Sequence, residues 1–226
     1  MVKTLELQII SISVLLVFTL FNNANLAFAK DHDEDEDEDE DEKHDDEDFM
    51  DKNLIQICCS WGIELSDGVL TYSIEDGDDK IKDSVKEAAY SWNKAINGME
   101  FKETDDDDNE DITISFRNDG KKIAGKTVNY FDNYGFIRKS VITISEESYN
   151  QEFSPAQIEQ VTKHELGHTL GLGHANFKGN LMTERVDTGS GTITSCEIEA
   201  VKTANSWILK GYGNALHPPE EESVQC

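Results

Sequence analysis

His164-Glu165-Leu166-Gly167-His168-Thr169-Leu170-Gly171-Leu172-Gly173-His174 is the stretch on which the reading of this chain turns. Upstream, Ser154-Pro155-Ala156-Gln157 combines an N-cap serine, a proline at the first helical position and a glutamine three residues on, a capping box. The helix that starts there is expected to run through Ile158, Val161 and Leu166 and to stop at Gly171. Histidines four apart stand about one turn apart on one helix face, so both imidazoles can reach a single metal ion. Glycine at 171 permits a positive φ and a sharp exit from the helix. That turn lets His174 approach from another direction as a third ligand. Three neutral imidazoles leave one tetrahedral position open for water, the mark of a catalytic rather than a structural zinc. Glu165, directly after the first ligand, can reach that water as a proton acceptor.

The bland alternative is a surface helix with scattered histidines. At average composition a bare H-E-x-x-H arises in roughly one chain of this length in a hundred, and adding Gly171 and His174 lowers that to about one in a hundred thousand. Scatter also leaves unexplained why three of the six histidines fall within this one stretch, beside the best helix start in the sequence.

The motif resembles that of the metzincin metallopeptidases, matched at every fixed position from His164 to His174. Leu181-Met182-Thr183 lies at the spacing of the methionine turn that matrixins carry beneath the metal. The Leu70–Ile74 segment, a helix around Trp92 and Asp111-Ile-Thr-Ile-Ser-Phe116 resemble the start of a matrixin catalytic domain, so the likeness spans roughly residues 61 to 210. The resemblance implies an α+β, metzincin-like catalytic domain: a twisted, mostly parallel sheet with an active-site helix and a C-terminal helix. It further implies one catalytic Zn2+ on His164, His168 and His174, with Glu165 as general base and Gly171 and Met182 in structural roles. The substrate would be a protein or peptide lying along an edge strand, its side-chain preference set by the loop from about Glu184 to Thr192. Three departures make the chain matrixin-like rather than typical. Ala175 replaces the usual serine or threonine, Phe116–Ser145 holds no histidine for a second zinc, and no cysteine-containing inhibitory motif is seen ahead of the domain. A role for Ca2+ is possible but unsupported.

Outward from the motif, the local patterns agree with that order. Val69–Ile74 is rich in β-branched and aromatic residues and closes at Asp76-Gly77. Ile81, Val85, Ala88, Trp92 and Ile96 recur at helical spacing before Gly98. Strands are expected at Ile112–Phe116, Lys126–Phe131 and Val141–Ser145. A further capping box at Thr194-Ser195-Cys196-Glu197 starts a helix expected to continue through Ile198, Val201 and Ile208 to Gly211. Strand, helix, several strands and two helices make an α+β order.

The N-terminus reads as an export signal over 1–29. Lys3 leads, Leu7–Phe21 is largely apolar, and Ala27-Phe28-Ala29 suits cleavage before Lys30. Uncleaved, this segment would anchor the chain to a membrane; cleaved, the protein is secreted. Residues 30–51 hold fifteen acidic residues against one lysine between Asp31 and Asp48, too dense a run of like charge to fold. The remaining 52–226 form the catalytic domain. The net charge of −27 excludes nucleic acid as a natural partner, because phosphates would be repelled. Oligomeric state is not legible. A rival reading is a catalytically inactive, acidic cation-binding protein on a metallopeptidase scaffold. It would explain the acidic run and the Asp105–Asp108 cluster but gives no use to Glu165.

Cys58, Cys59, Cys196 and Cys226 allow three pairings. Joining neighbours departs from normal disulfide geometry, which favours the two pairings that tie Cys58 and Cys59 to Cys196 and Cys226. Thiol control of the metal is the alternative.

The acidic run carries no element of the motif. Deleting residues 31–48 is therefore expected to leave turnover of a short neutral peptide unchanged, and a large change in either direction would assign the segment a regulatory role.

Overall fold

The apolar alternation of Ile112-Thr-Ile-Ser-Phe-Arg117 places its strand at the centre of the main sheet, with Ile112 and Ile114 fully buried. The computed structural model describes residues 8–12, 52–75, 77–105, 109–118, 123–148, 151–185, 188–206, 218 and 223–226. Numbered in chain order, the strands of this sheet are β1 (Gln8–Ile12), β3 (Val69–Ile74), β4 (Glu100–Glu103), β5 (Ile112–Arg117), β6 (Gly125–Phe131) and β7 (Ile137–Ser145). Their spatial order is β1-β6-β7-β5-β3-β4. β4, β3, β5 and β7 run parallel, whereas β6 lies antiparallel to β7 and β1 antiparallel to β6. A second sheet joins β10 (Leu172–Ala175), β2 (Leu54–Ile57) and β11 (Ser223–Gln225), and β8 (Glu147–Ser148) with β9 (Gln151–Glu152) forms a small ribbon. The expected α+β class and mostly parallel sheet are observed.

Helix α1 (Asp79–Ala95) buries Val85, Ala88 and Trp92 of the face expected from their spacing, and Ala89 beside them. Asp78 caps it by accepting from the Ile81 amide. Beyond its end, the Asn93 side chain bonds both the amide and the carbonyl of Phe101 and so fixes β4 beside the helix. β4 was not expected from the sequence, since only one of its four residues is apolar and buried. Trp92 donates its indole N–H to the Lys163 carbonyl at 2.9 Å, which locks α1 to α2 (Pro155–Thr169).

The capping box that starts α2 is formed on both sides. From Val161 to Thr169 every residue of this helix is buried, so it threads the interior and carries polar side chains inward with it. The far end is held by three bonds. The Trp61 indole reaches the Thr169 carbonyl (2.6 Å), the Asn205 amide reaches the Leu170 carbonyl (2.9 Å), and the Cys58 amide reaches the Gly171 carbonyl (2.9 Å). Gly171 adopts φ +91°, and a Cβ there would stand 2.2 Å from the Cys59 carbonyl oxygen. Both the conformation and the space demand glycine. The chain then reverses into β10 on the edge of β2.

Helix α3 (Ser195–Ala204) covers the first part of the expected helix. It ends at Asn205, whose side chain is drawn into bonds with Leu170, Ser60 and Trp61, while 207–217, including Ile208 and Gly211, lie outside the described residues. β7 begins four residues earlier than expected. Arg138 and Lys139 conceal it in the sequence, pairing with Glu64 and with Glu110.

The cysteine pairing departs from the expected one. Cys196 lies against Cys226 with Cα atoms 5.2 Å apart, and Cys58 against its neighbour Cys59. β11 pairs with β2 and so delivers the last residue to the first turn of α3, whereas Cys59 faces the core beside Asn129. Sequence distance could not show that the C-terminus returns to this helix.

Gln8–Ile12, expected inside an export leader, forms the outermost strand. The expected cleavage site after Ala29 and the acidic stretch 30–51 lie outside the described residues, as does most of the Asp105–Asp108 cluster. Among the described residues no helix is long and apolar enough to cross a membrane.

The Gly171 contact can be separated from its φ. Gly179 also has positive φ (+78°), but a Cβ there would meet nothing within 4 Å. Gly179→Ala is expected to cost about 1–2 kcal/mol for the left-handed conformation alone. Gly171→Ala is expected to cost clearly more in denaturant unfolding, because Cys59 must also move; equal costs would show that the contact is unimportant.

Candidate active site

α2 carries His164 and His168 one turn apart, their ring centroids 4.7 Å from each other. His174 comes from β10, where the pairing with β2 shifts register between Leu172 and Ala175. Such an irregularity re-aims a side chain out of the strand alternation, and it lies at Gly173-His174. A Cβ on Gly173 would stand 2.8 Å from that of Gln56, so glycine also lets this segment press close to β2. The His174 ring lies 5.6 Å from that of His164 and 5.0 Å from that of His168. One nitrogen from each of the three histidines lies within 4.8 Å of the others. The three residues singled out from the sequence are brought together.

The hydrogen bonds decide which nitrogens face inward. Nδ1 of His164 lies 2.7 Å from the Leu181 carbonyl oxygen, and Nδ1 of His168 lies 2.8 Å from that of Leu172. A carbonyl only accepts, so each Nδ1 carries the proton and donates. The two Nε2 atoms then present lone pairs to each other at 3.0 Å, while His174 Nε2 is buried without a partner. Lone pairs aimed at one point repel unless a cation lies between them. Burial pushes His164 down to about 4 and also lowers His168 and His174, the neighbouring imidazoles adding to the effect at the first two. The rings are therefore neutral at physiological pH, the state a metal requires. Three convergent neutral imidazoles, two of them with backbone carbonyls on their outer nitrogens, fit zinc.

Glu165 is fully buried on the same helix. Its Oε2 accepts from the Thr127 hydroxyl at 2.7 Å, and its Oε1 has no partner. Burial pushes the carboxyl up to about 8, opposed by the Thr127 bond and the Arg117 charge. A nearby divalent cation would favour the carboxylate, the form that accepts a proton.

Met182 is fully buried in a turn under α2. Gly167, on the underside of the helix, makes room for it: a Cβ there would stand 2.5 Å from the Met182 sulfur. The turn is held by the Met182 amide on Asn180 and by the Ala175 amide on the Met182 carbonyl. Sequence reading missed Glu197 as part of this assembly and took it only for a helix cap. Its Oε2 does cap α3 by accepting from the Thr194 amide, but its Oε1 accepts from the Leu181 amide at 3.0 Å. The peptide whose carbonyl orients His164 is thereby fixed to the start of α3. The capping box was the only signal, and it does not reveal the second oxygen's partner.

With this geometry in view, comparison with known proteins is decisive. The matrixin family model matches residues 64–203, more than half of the chain and all of the site. The chain belongs to the matrixin family. Among curated proteins it is similar to the hatching enzyme of Paracentrotus lividus, 26% identical over 128 residues; the match covers 53% of this matrixin and only 21% of that relative. Among solved structures it overlaps in part with myroilysin (TM-score 0.37, 16% identity, 55% of this chain and 50% of that one). It overlaps likewise with an archaemetzincin from Methanopyrus kandleri (TM-score 0.41, 16% identity, 61% and 94%). The metal of this family is zinc.

One zinc per chain is the expected result of metal analysis on the purified protein. His168→Ala is expected to abolish stoichiometric binding; zinc retained by that variant would refute the ligand set.

Proposed function

We propose that this matrixin is a secreted zinc-dependent endopeptidase, with His164, His168 and His174 as ligands and Glu165 as general base. The observation that carries the reading is the convergence of three neutral imidazoles around one point, with a buried carboxylate on the same helix. Bound zinc would supply the Lewis acidity that polarises a peptide carbonyl and acidifies water. Glu165 would accept the proton of the attacking water on its unpartnered oxygen and later deliver it to the departing amine.

An extended substrate would add as a strand to the outer edge of β6, bound chiefly by its main chain. Gln8–Ile12 lies antiparallel along that edge. Removal of an export leader would bare it for a substrate to take the same place. Export is supported by the basic start, the apolar run and the Ala27-Phe28-Ala29 site, and it would suit the proximity of Cys196 and Cys226. Side-chain preference would arise in the loop after Met182, which folds back on the turn through Gly179 to Thr188 and Ser190 to Asn180.

Digestion of casein or gelatin, blocked by a zinc chelator, tests the reading. Glu165→Ala is expected to keep zinc and fold while losing about 10²–10⁴-fold in turnover, the usual worth of general acid–base catalysis. A variant within a few-fold of the parent would remove Glu165 from the mechanism.

A further inference from the structure

Alternate residues of β6 point inward, and three in succession touch the active-site helix. Gly125 lies against the Glu165 side chain, so closely that a Cβ there would stand 2.3 Å from Oε1. Thr127 places its hydroxyl 2.7 Å from Glu165 Oε2 and 3.1 Å from the Glu165 carbonyl. Asn129 donates its side-chain amide to the His168 carbonyl at 3.2 Å. Gly125 and Thr127 thus form a seat for one carboxylate: the first leaves space for an oxygen that a side chain would fill, and the second holds the other oxygen. We propose that Thr127 is a positioning residue for this peptidase, fixing the Glu165 carboxylate through Oε2 so that Oε1 alone remains to exchange the proton.

The chemistry favours this over mere packing. A threonine hydroxyl has a single proton. Of its two acceptors the carboxylate oxygen is the nearer, and bonds to a charged acceptor are about twice as strong as neutral ones. The strand is held from behind, since Thr127 pairs with Ile142 of β7, so the hydroxyl is carried on a fixed support. Thr127 is itself only 2% exposed, and water has little room to replace the bond once it is lost. A free carboxylate in this site would sample rotamers in which neither oxygen is directed at substrate. Geometry of this kind is where a small displacement costs much of the rate.

The inference rests on the general-base role of Glu165, and the variants separate the two. Thr127→Val keeps the shape and removes the hydroxyl; Thr127→Ser keeps the hydroxyl. With zinc content and thermal melting as controls, Thr127→Val is expected to lower kcat about ten- to a hundred-fold with KM within about twofold. Thr127→Ser is expected to restore kcat to within about threefold of the parent. Added to Glu165→Gln, Thr127→Val is expected to cost nothing further, because the two act through one group. A Thr127→Val enzyme with parental kcat, or one whose loss Thr127→Ser does not repair, overturns the proposal. Glu165→Gln at parental activity overturns the general-base reading and this proposal with it. A readout independent of turnover is a solved structure of the zinc-loaded protein. Thr127 Oγ1 within hydrogen-bond distance of Glu165 Oε2, and a displaced carboxylate in Thr127→Val, are expected; a carboxylate turned away from Thr127 in the parent overturns the inference even if Thr127→Val fails to fold.

Discussion

The carbonyl oxygen of Cys59 occupies the space where a side chain at residue 171 would begin, and the site depends on that contact being possible. α2 must end abruptly for the chain to double back, and it must end against β2 for β10 to pair there. Only a residue without a Cβ meets both conditions. The left-handed turn, the bonds from Cys58, Trp61 and Asn205 to the last carbonyls of the helix, and the register shift around His174 then follow as one construction. Its product is a third imidazole facing two that the helix has already aligned.

Around that construction, the supporting bonds link the site to elements distant in sequence. The Leu172 carbonyl that orients His168 belongs to β10, and the Leu181 carbonyl that orients His164 belongs to the methionine turn. Glu197 fastens that turn to α3 through a single carboxylate shared between a helix cap and a loop amide. Cys196, at the start of α3, lies against Cys226, which directly follows β11, the strand hydrogen-bonded to β2. The orientation of these imidazoles is thus set by the second sheet, the turn at Met182 and two helices, so that the arrangement of the site and folding stability draw on the same contacts.

Charge adds a further level. The chain is strongly acidic overall, yet the groups at the site are neutral imidazoles and a carboxyl whose burial disfavours its charge. Much of the acidity lies in the run between Asp31 and Asp48. The buried site is governed by desolvation and by a handful of hydrogen bonds.

The sequence by itself determined the metal chemistry and much of the architecture. Helical period, capping boxes and the glycine exit are local properties, so α1, the start and end of α2, and β3, β5 and β6 were legible from neighbouring residues alone. The identity of the three histidines was legible for the same reason: four residues of helix and one turn fix where they point. The tertiary structure alone decided what holds that chemistry in place. β4, β10 and β11 are too short to declare themselves and exist because a partner strand awaits them. The early start of β7 is hidden by charged residues whose partners, Glu64 and Glu110, are distant in the chain. Thr127 under Glu165 and Glu197 under Leu181 are ordinary residues in any local reading. Their roles arise because folding sets a hydroxyl or a carboxylate within 3 Å of a group tens of residues away or on a separate element, and no local pattern encodes such a distance.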